Sequence, residues 1–168
     1  MLASFLMGLV AGQRSMTPLA AVAVAASRGD LPKGTAVPSF MAEPIVVAGA
    51  VALAIGEMAG DKMRTAPDRI VPAGLAARLL TSGMAGGSLA LRGRFVEGAL
   101  LGSATAVIAS YPGWRLRMAA MTRYGQTATG LVEDAIVLAG AVGIVRGMGG
   151  RDEFRGRPSR ARGPIRRR

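Results

Sequence analysis

The side chains able to do chemistry in this chain are Arg14 with Ser15 and Thr17 beside it, Glu57 and Asp61, Arg78, and the pair Glu133-Asp134. No histidine and no cysteine accompanies them. That removes the commonest general base, the commonest metal ligand, any Ser-His-Asp triad and all thiolate chemistry. What remains is ionic. Arg14 lies well inside an apolar segment and close to a helix breaker. A charge at membrane depth is costly unless it is paired or hydrated. Arg14 therefore pairs with Glu57 or Asp61, or binds an anionic ligand; the plainer reading has it snorkel to the interface. Glu57 and Asp61, at i and i+4, share one helix face and can hold a cation or relay a proton. Equally, they mark where a helix leaves the membrane, with Lys62 and Arg64 as solvated neighbours. Glu133 and Asp134 precede an apolar run. They complement a helix dipole, or they are partners of the first acidic pair, and Arg78 either pairs with them or sits near a helix end. Neither a metal nor a cofactor is expected, and no catalytic set stands out.

The segments that must position these groups are apolar and rich in small residues. The run from Ala42 to Gly60 has the length of a bilayer crossing, about 20 residues, with acids only at its two ends. Gly56 and Gly60 give it a small-xxx-small pair for close helix approach in lipid. A first segment, 2–27, is interrupted by Gly12-Gln13-Arg14-Ser15-Met16-Thr17-Pro18, which predicts one kinked helix or two half-helices. A weaker third segment covers 70–91. A fourth covers 95–112, with an amphipathic extension towards Arg123, and a fifth covers 131–147. Residues 28–42 and the charged stretch 61–69 read as loops. Ser15, Thr17, Thr81, Ser82, Ser103 and Thr105 can hydrogen-bond between helices. Gly83-Met84-Ala85-Gly86-Gly87 lacks the lysine and the setting of a phosphate loop and reads as a packing face.

Composition agrees with a lipid-solvated class. Half of the residues are apolar, yet one Trp, two Tyr and four Phe are all the large rings available. A water-soluble core of this size uses more of them. The net charge is +11, and residues 146–168 supply nine arginines against Asp152 and Glu153. The chain accordingly reads as a transmembrane domain, 1–147, followed by a disordered Arg-rich tail, 148–168. The tail favours a cytoplasmic C-terminus and contact with anionic lipid headgroups. Without interleaved aromatics it is not a nucleic-acid reader. Five crossings would then leave Arg115, Arg117 and Arg123 on the outer side, against the positive-inside rule. Either segment four runs long or the crossing count is even.

An internal repeat is suggested twice at nearly one offset. Phe5-x-x-Gly8-x-x-x-Gly12 recurs as Phe95-x-x-Gly98-x-x-x-Gly102, and Ile45 to Val51 recurs as Ile136 to Val142. An odd spacer helix between two duplicated units would invert the second, as in many transporters. Chance matching of Ala/Val/Gly-rich text is the alternative.

Three motifs, Gly12-Gln13-Arg14-Ser15-Met16-Thr17-Pro18, Glu57-Met58-Ala59-Gly60-Asp61-Lys62 and Pro67-Asp68-Arg69, resemble those of a bacterial multi-pass membrane family catalogued as domain of unknown function 4126. The resemblance spans about residues 5–146. It implies membrane location and a small helical fold, and brings no activity, substrate or catalytic residue. The expectation is an all-α integral membrane helical bundle of the inner membrane, of about five helices, with two inverted two-helix repeats joined by a central one. Its expected role is transport of a small solute or ion through a polar centre of Arg14, Glu57 and Asp61. The rival is a non-transporting scaffold or assembly factor. A lipid-acting enzyme ranks third, and a homo-oligomer fits a bundle this small.

Overall fold

A computed structural model of the chain describes residues 1–62 and 72–155. The described chain is helical: α1 (Leu2–Ala11), α2 (Met16–Arg28), a short 3-10 turn (Ser39–Ala42), α3 (Pro44–Gly60), α4 (Pro72–Ser88), α5 (Phe95–Tyr124) and α6 (Gln126–Arg155). The charged stretch expected at 61–69 falls mostly outside the described residues, as does the end of the tail, 156–168.

Segment one is two helices. At the end of α1 the amides of Gln13 and Arg14 both reach back to the Val10 carbonyl, at 3.0 and 3.3 Å, and the helix stops. Pro18 lies in the first turn of α2, where a missing N–H costs nothing because first-turn donors lack intrahelical partners. Proline therefore does not break a helix here; the polar tip ahead of it does. α2 ends at Gly29, whose φ of 71° is left-handed. Asp30 N donates back to Ala25 O at 2.9 Å, closing the glycine C-cap.

Helix directions follow from which residues meet. Ser4, Gly8 and Gly12 lie against Gly98, Gly102 and Ala109, so α1 and α5 run parallel. Gly83 faces Ser103 and Gly87 faces Phe95, so α4 runs antiparallel to α5. α2 climbs alongside α6, from Arg14 at Asp134 to Asp30 at Gly149. α5 and α6 reverse about Gly125, at φ 82°. Together these make α1 and α2 a hairpin whose tip, 12–15, stops halfway along α5. Gln13 Nε2 donates to Ala109 O at 3.2 Å there, and Ser110 Oγ donates to Gly12 O at 3.3 Å. Both the N-terminus and the end of α6 then lie beside the α4–α5 turn. Segment four does run long, since Pro112 sits inside α5 without ending it.

The core is made by close backbone approach. A Cβ on Gly102 would sit 2.6 Å from Ser82 O, one on Gly86 2.7 Å from Gly98 O, and one on Gly8 2.7 Å from Gly102 O. Three helices, α1, α4 and α5, meet at these glycines. Other expected seams are not used in this way. Among the described residues, nothing outside its own helix approaches within 4 Å of a Cβ built on Gly56, Gly60, Gly143 or Gly147. Nor is α3 the hub that its apolar run suggests. It packs on α2 and the 3-10 turn, and leaves Ile45, Leu53 and Ile55 exposed at 83, 56 and 62%.

Helix length separates the segments further. α6 alone among the described helices is long and apolar enough to cross a membrane, over Gln126–Gly149; α1 and α3 are shorter apolar helices. Five full-length spans are therefore not shown by these helices; α1 and α2 carry 10 and 13 residues each. α6 also begins before residue 131 and continues past Gly147 to Arg155.

Candidate functional site: an alternating chain of buried charges

Arg14 sits at the tip of the α1–α2 hairpin with 1% of its side chain exposed. The tip points at the last turn of α3 and the first turns of α6, and both carry acids. Arg14 Nη2 lies 2.8 Å from Asp61 Oδ2 and 2.6 Å from Asp134 Oδ1. Asp61 is shared with Arg117 of α5 at 2.5 Å, and Asp134 with Lys62 at 2.6 Å. Arg117 closes the far end on Glu133 Oε2 at 2.5 Å. The order is Lys62, Asp134, Arg14, Asp61, Arg117, Glu133: three cations alternating with three carboxylates. Backbone acceptors take further donors. Lys62 Nζ donates to Met58 O at 2.9 Å and Gln126 Nε2 to Asp61 O at 3.0 Å. Every carboxylate in this chain touches at least one cation, as buried charge requires.

Glu57 does something different. Its Oε1 accepts from the backbone N–H and the hydroxyl of Ser15, and its Oε2 from the N–H of Met16, each at 2.9 Å. The carboxylate of one helix thus caps the start of another, where the macrodipole and unpaired amides favour an anion. Arg14 Nη1 approaches the Glu57 backbone carbonyl at 3.5 Å. Glu57 is neither an open cation ligand nor the side-chain partner of Arg14.

The residues picked from sequence thus divide. Arg14, Ser15, Glu57, Asp61, Glu133 and Asp134 come together. Thr17 is buried at 2%, but its hydroxyl has no hydrogen-bond partner among the described residues and does not reach the acids. Arg78 is buried at 4% on α4 and has a partner of its own. Lys62 and Arg117 were not anticipated as members. Lys62 looked like a solvated end, and Arg117 looked stranded outside. One signal was available: Arg117 and Glu133 lie eight residues either side of Gly125, the registration of a helical hairpin turning there.

Beside this cluster α5 and α6 diverge over α1 and leave a groove of about 1030 Å³. Its walls are mainly apolar, including Phe5, Leu9, Ile108, Leu116 and Ile136, and it touches the cluster at Arg117 and Glu133. Arg14, Glu57 and Asp61 do not line it. No family model, no curated protein and no solved structure matches the chain.

Proposed function

We propose that the chain is an integral membrane protein of the non-transporting kind, a small helical scaffold held together by its internal charge chain. The observation that carries this reading is mutual ion pairing, with only Arg14 Nε left without an ionic or hydrogen-bond contact on that guanidinium among the described residues. Arg14, Asp61 and Asp134 each hold two partners, and Glu57 is saturated by three donors of the α2 terminus. A solute or ion site needs groups free to exchange partners, beside space to hold the cargo. Among the described residues, the groove between α5 and α6 offers space, and its walls are mainly apolar and do not include Arg14, Glu57 or Asp61. The bilayer itself is supported by the uncharged exposed side chains of α3 and by Leu131, Val132, Ile136 and Leu138 on α6, exposed at 50–67%. In water such surfaces would aggregate; in lipid they are ordinary. Asp134 lies inside the apolar span of α6, where an unpaired charge would be expensive. The Arg-rich tail and the shared end of both termini favour a cytoplasmic side for that end in the inner membrane.

A second reading keeps transport. A first helix broken inside the bundle, with a half-helix N-terminus facing a carboxylate, is a device of transporters. One experiment separates the two readings. Liposomes carrying the protein are assayed for proton and small-anion flux, beside an Arg14→Leu variant. The scaffold reading expects flux at the level of empty liposomes for both proteins, and a lower unfolding temperature for the variant. Flux by the native chain that Arg14→Leu abolishes without loss of stability would establish the transporter.

A further inference from the structure

The groove between α5 and α6 is a feature that the charge chain does not explain. It runs from Thr105 to Tyr124 along α5, about 28 Å of helix, and its volume is at the top of the ligand-pocket range of about 300–1,000 Å³. Its two ends differ. One end, between Phe5, Ile108 and Ile136, is apolar; the other closes at the α5–α6 turn, with Tyr124, Ala128 and Thr129. Arg123 lies three residues after Ala120 and seven after Leu116, both of which line the groove, so it shares their helix face. Its guanidinium stands 5.6 Å from the centre of the Tyr124 ring. It is exposed and has no carboxylate partner among the described residues. Lys62, Arg14 and Arg117, by contrast, are all paired.

Resting on the membrane reading, we propose that this groove is a binding site for an anionic phospholipid, with acyl chains along Phe5, Leu9 and Ile136 and the phosphate at Arg123. Charge complementarity selects this occupant. A second copy of the chain, seated symmetrically, would bring its own exposed Arg123 to the same place and no compensating acid. An anionic amphiphile brings the missing charge and a tail matched to the walls.

The test is native mass spectrometry of the full chain released from nanodiscs of equal phosphatidylglycerol and phosphatidylcholine. One retained phosphatidylglycerol per chain is expected, enriched about fivefold over phosphatidylcholine, the equilibrium equivalent of one basic side chain beside an anionic headgroup. Arg123→Gln should abolish the enrichment while lipid is still retained. Ala128→Trp, at an exposed groove position, should prevent retention altogether; both variants should keep native helix content. Equal retention of the two lipids, enrichment that survives Arg123→Gln, or a lipid-free dimer would each overturn the proposal. Failure of the chain to enter nanodiscs at all would instead refute the membrane reading beneath it.

Discussion

Replacing Arg14 with Leu removes the central link of the charge chain. Asp61 keeps Arg117 and Asp134 keeps Lys62, but both lose the cation that is 1% exposed and therefore least screened. Removing one partner of a buried ion pair costs about 3–5 kcal/mol, and the surviving partners place this variant near the lower end. For a chain of this length, about 1 kcal/mol corresponds to roughly 2–4 °C in unfolding temperature. A fall of about 6–12 °C is therefore expected, read by far-UV circular dichroism in detergent. A double variant, Arg14→Leu with Asp134→Leu, removes a stranded acid with its cation and should be more stable than the sum of the two single changes. An unfolding temperature within about 2 °C of the parent for Arg14→Leu, or strict additivity of the pair, would refute the buried chain.

The same geometry fixes other outcomes. Glu57→Gln keeps the shape but loses the charge that three α2 donors share, and should cost about 2–4 kcal/mol, measured by the same melt. Gly102→Leu forces a side chain into the Ser82 carbonyl and should prevent folding, whereas Gly56→Leu, with nothing outside its own helix within 4 Å among the described residues, should leave the melt within about 2 °C of the parent. A double-mutant cycle on Arg117→Gln and Glu133→Gln should return a coupling above about 1 kcal/mol; zero coupling would mean that the α5–α6 registration differs. Reporter fusions at the two termini should give the same side of the membrane.

Much of this was legible because it depends on local chemistry. The polar tip 12–15, the glycine seams of α1 and α5, and the need of Arg14 for company all follow from residue type and spacing. What was not legible depends on distance in sequence. Glu57 and Asp61 share a helix face, yet they serve different masters: one an incoming helix terminus, the other two arginines. Nothing within 43–62 encodes that difference, since Ser15, Met16 and Arg117 lie far along the chain. In α3 apolarity is not a measure of burial, since Ile45, Leu53 and Ile55 are exposed. When the surroundings are themselves apolar, an uncharged helix can sit at the edge as readily as at the hub. The tandem matches between 5–12 and 95–102 do find a physical use: Gly8 faces Gly102 across α1 and α5, while Gly12 lies against Ala109 and Gly98 against Ser4. Parallel packing of those two helices is a contact, and does not by itself relate the two halves by symmetry.

The most direct measurement of whether lipid solvates this bundle uses the absence of cysteine from the chain. A single Leu53→Cys change on the exposed face of α3 is probed with a membrane-impermeant maleimide in intact membranes. The account predicts no labelling there, full labelling after denaturation, and ready labelling of a Thr127→Cys control at the α5–α6 turn in vesicles that expose that side. Rapid labelling of Cys at position 53 in native membranes, or recovery of the unmodified chain as a monodisperse species in detergent-free buffer, would contradict it.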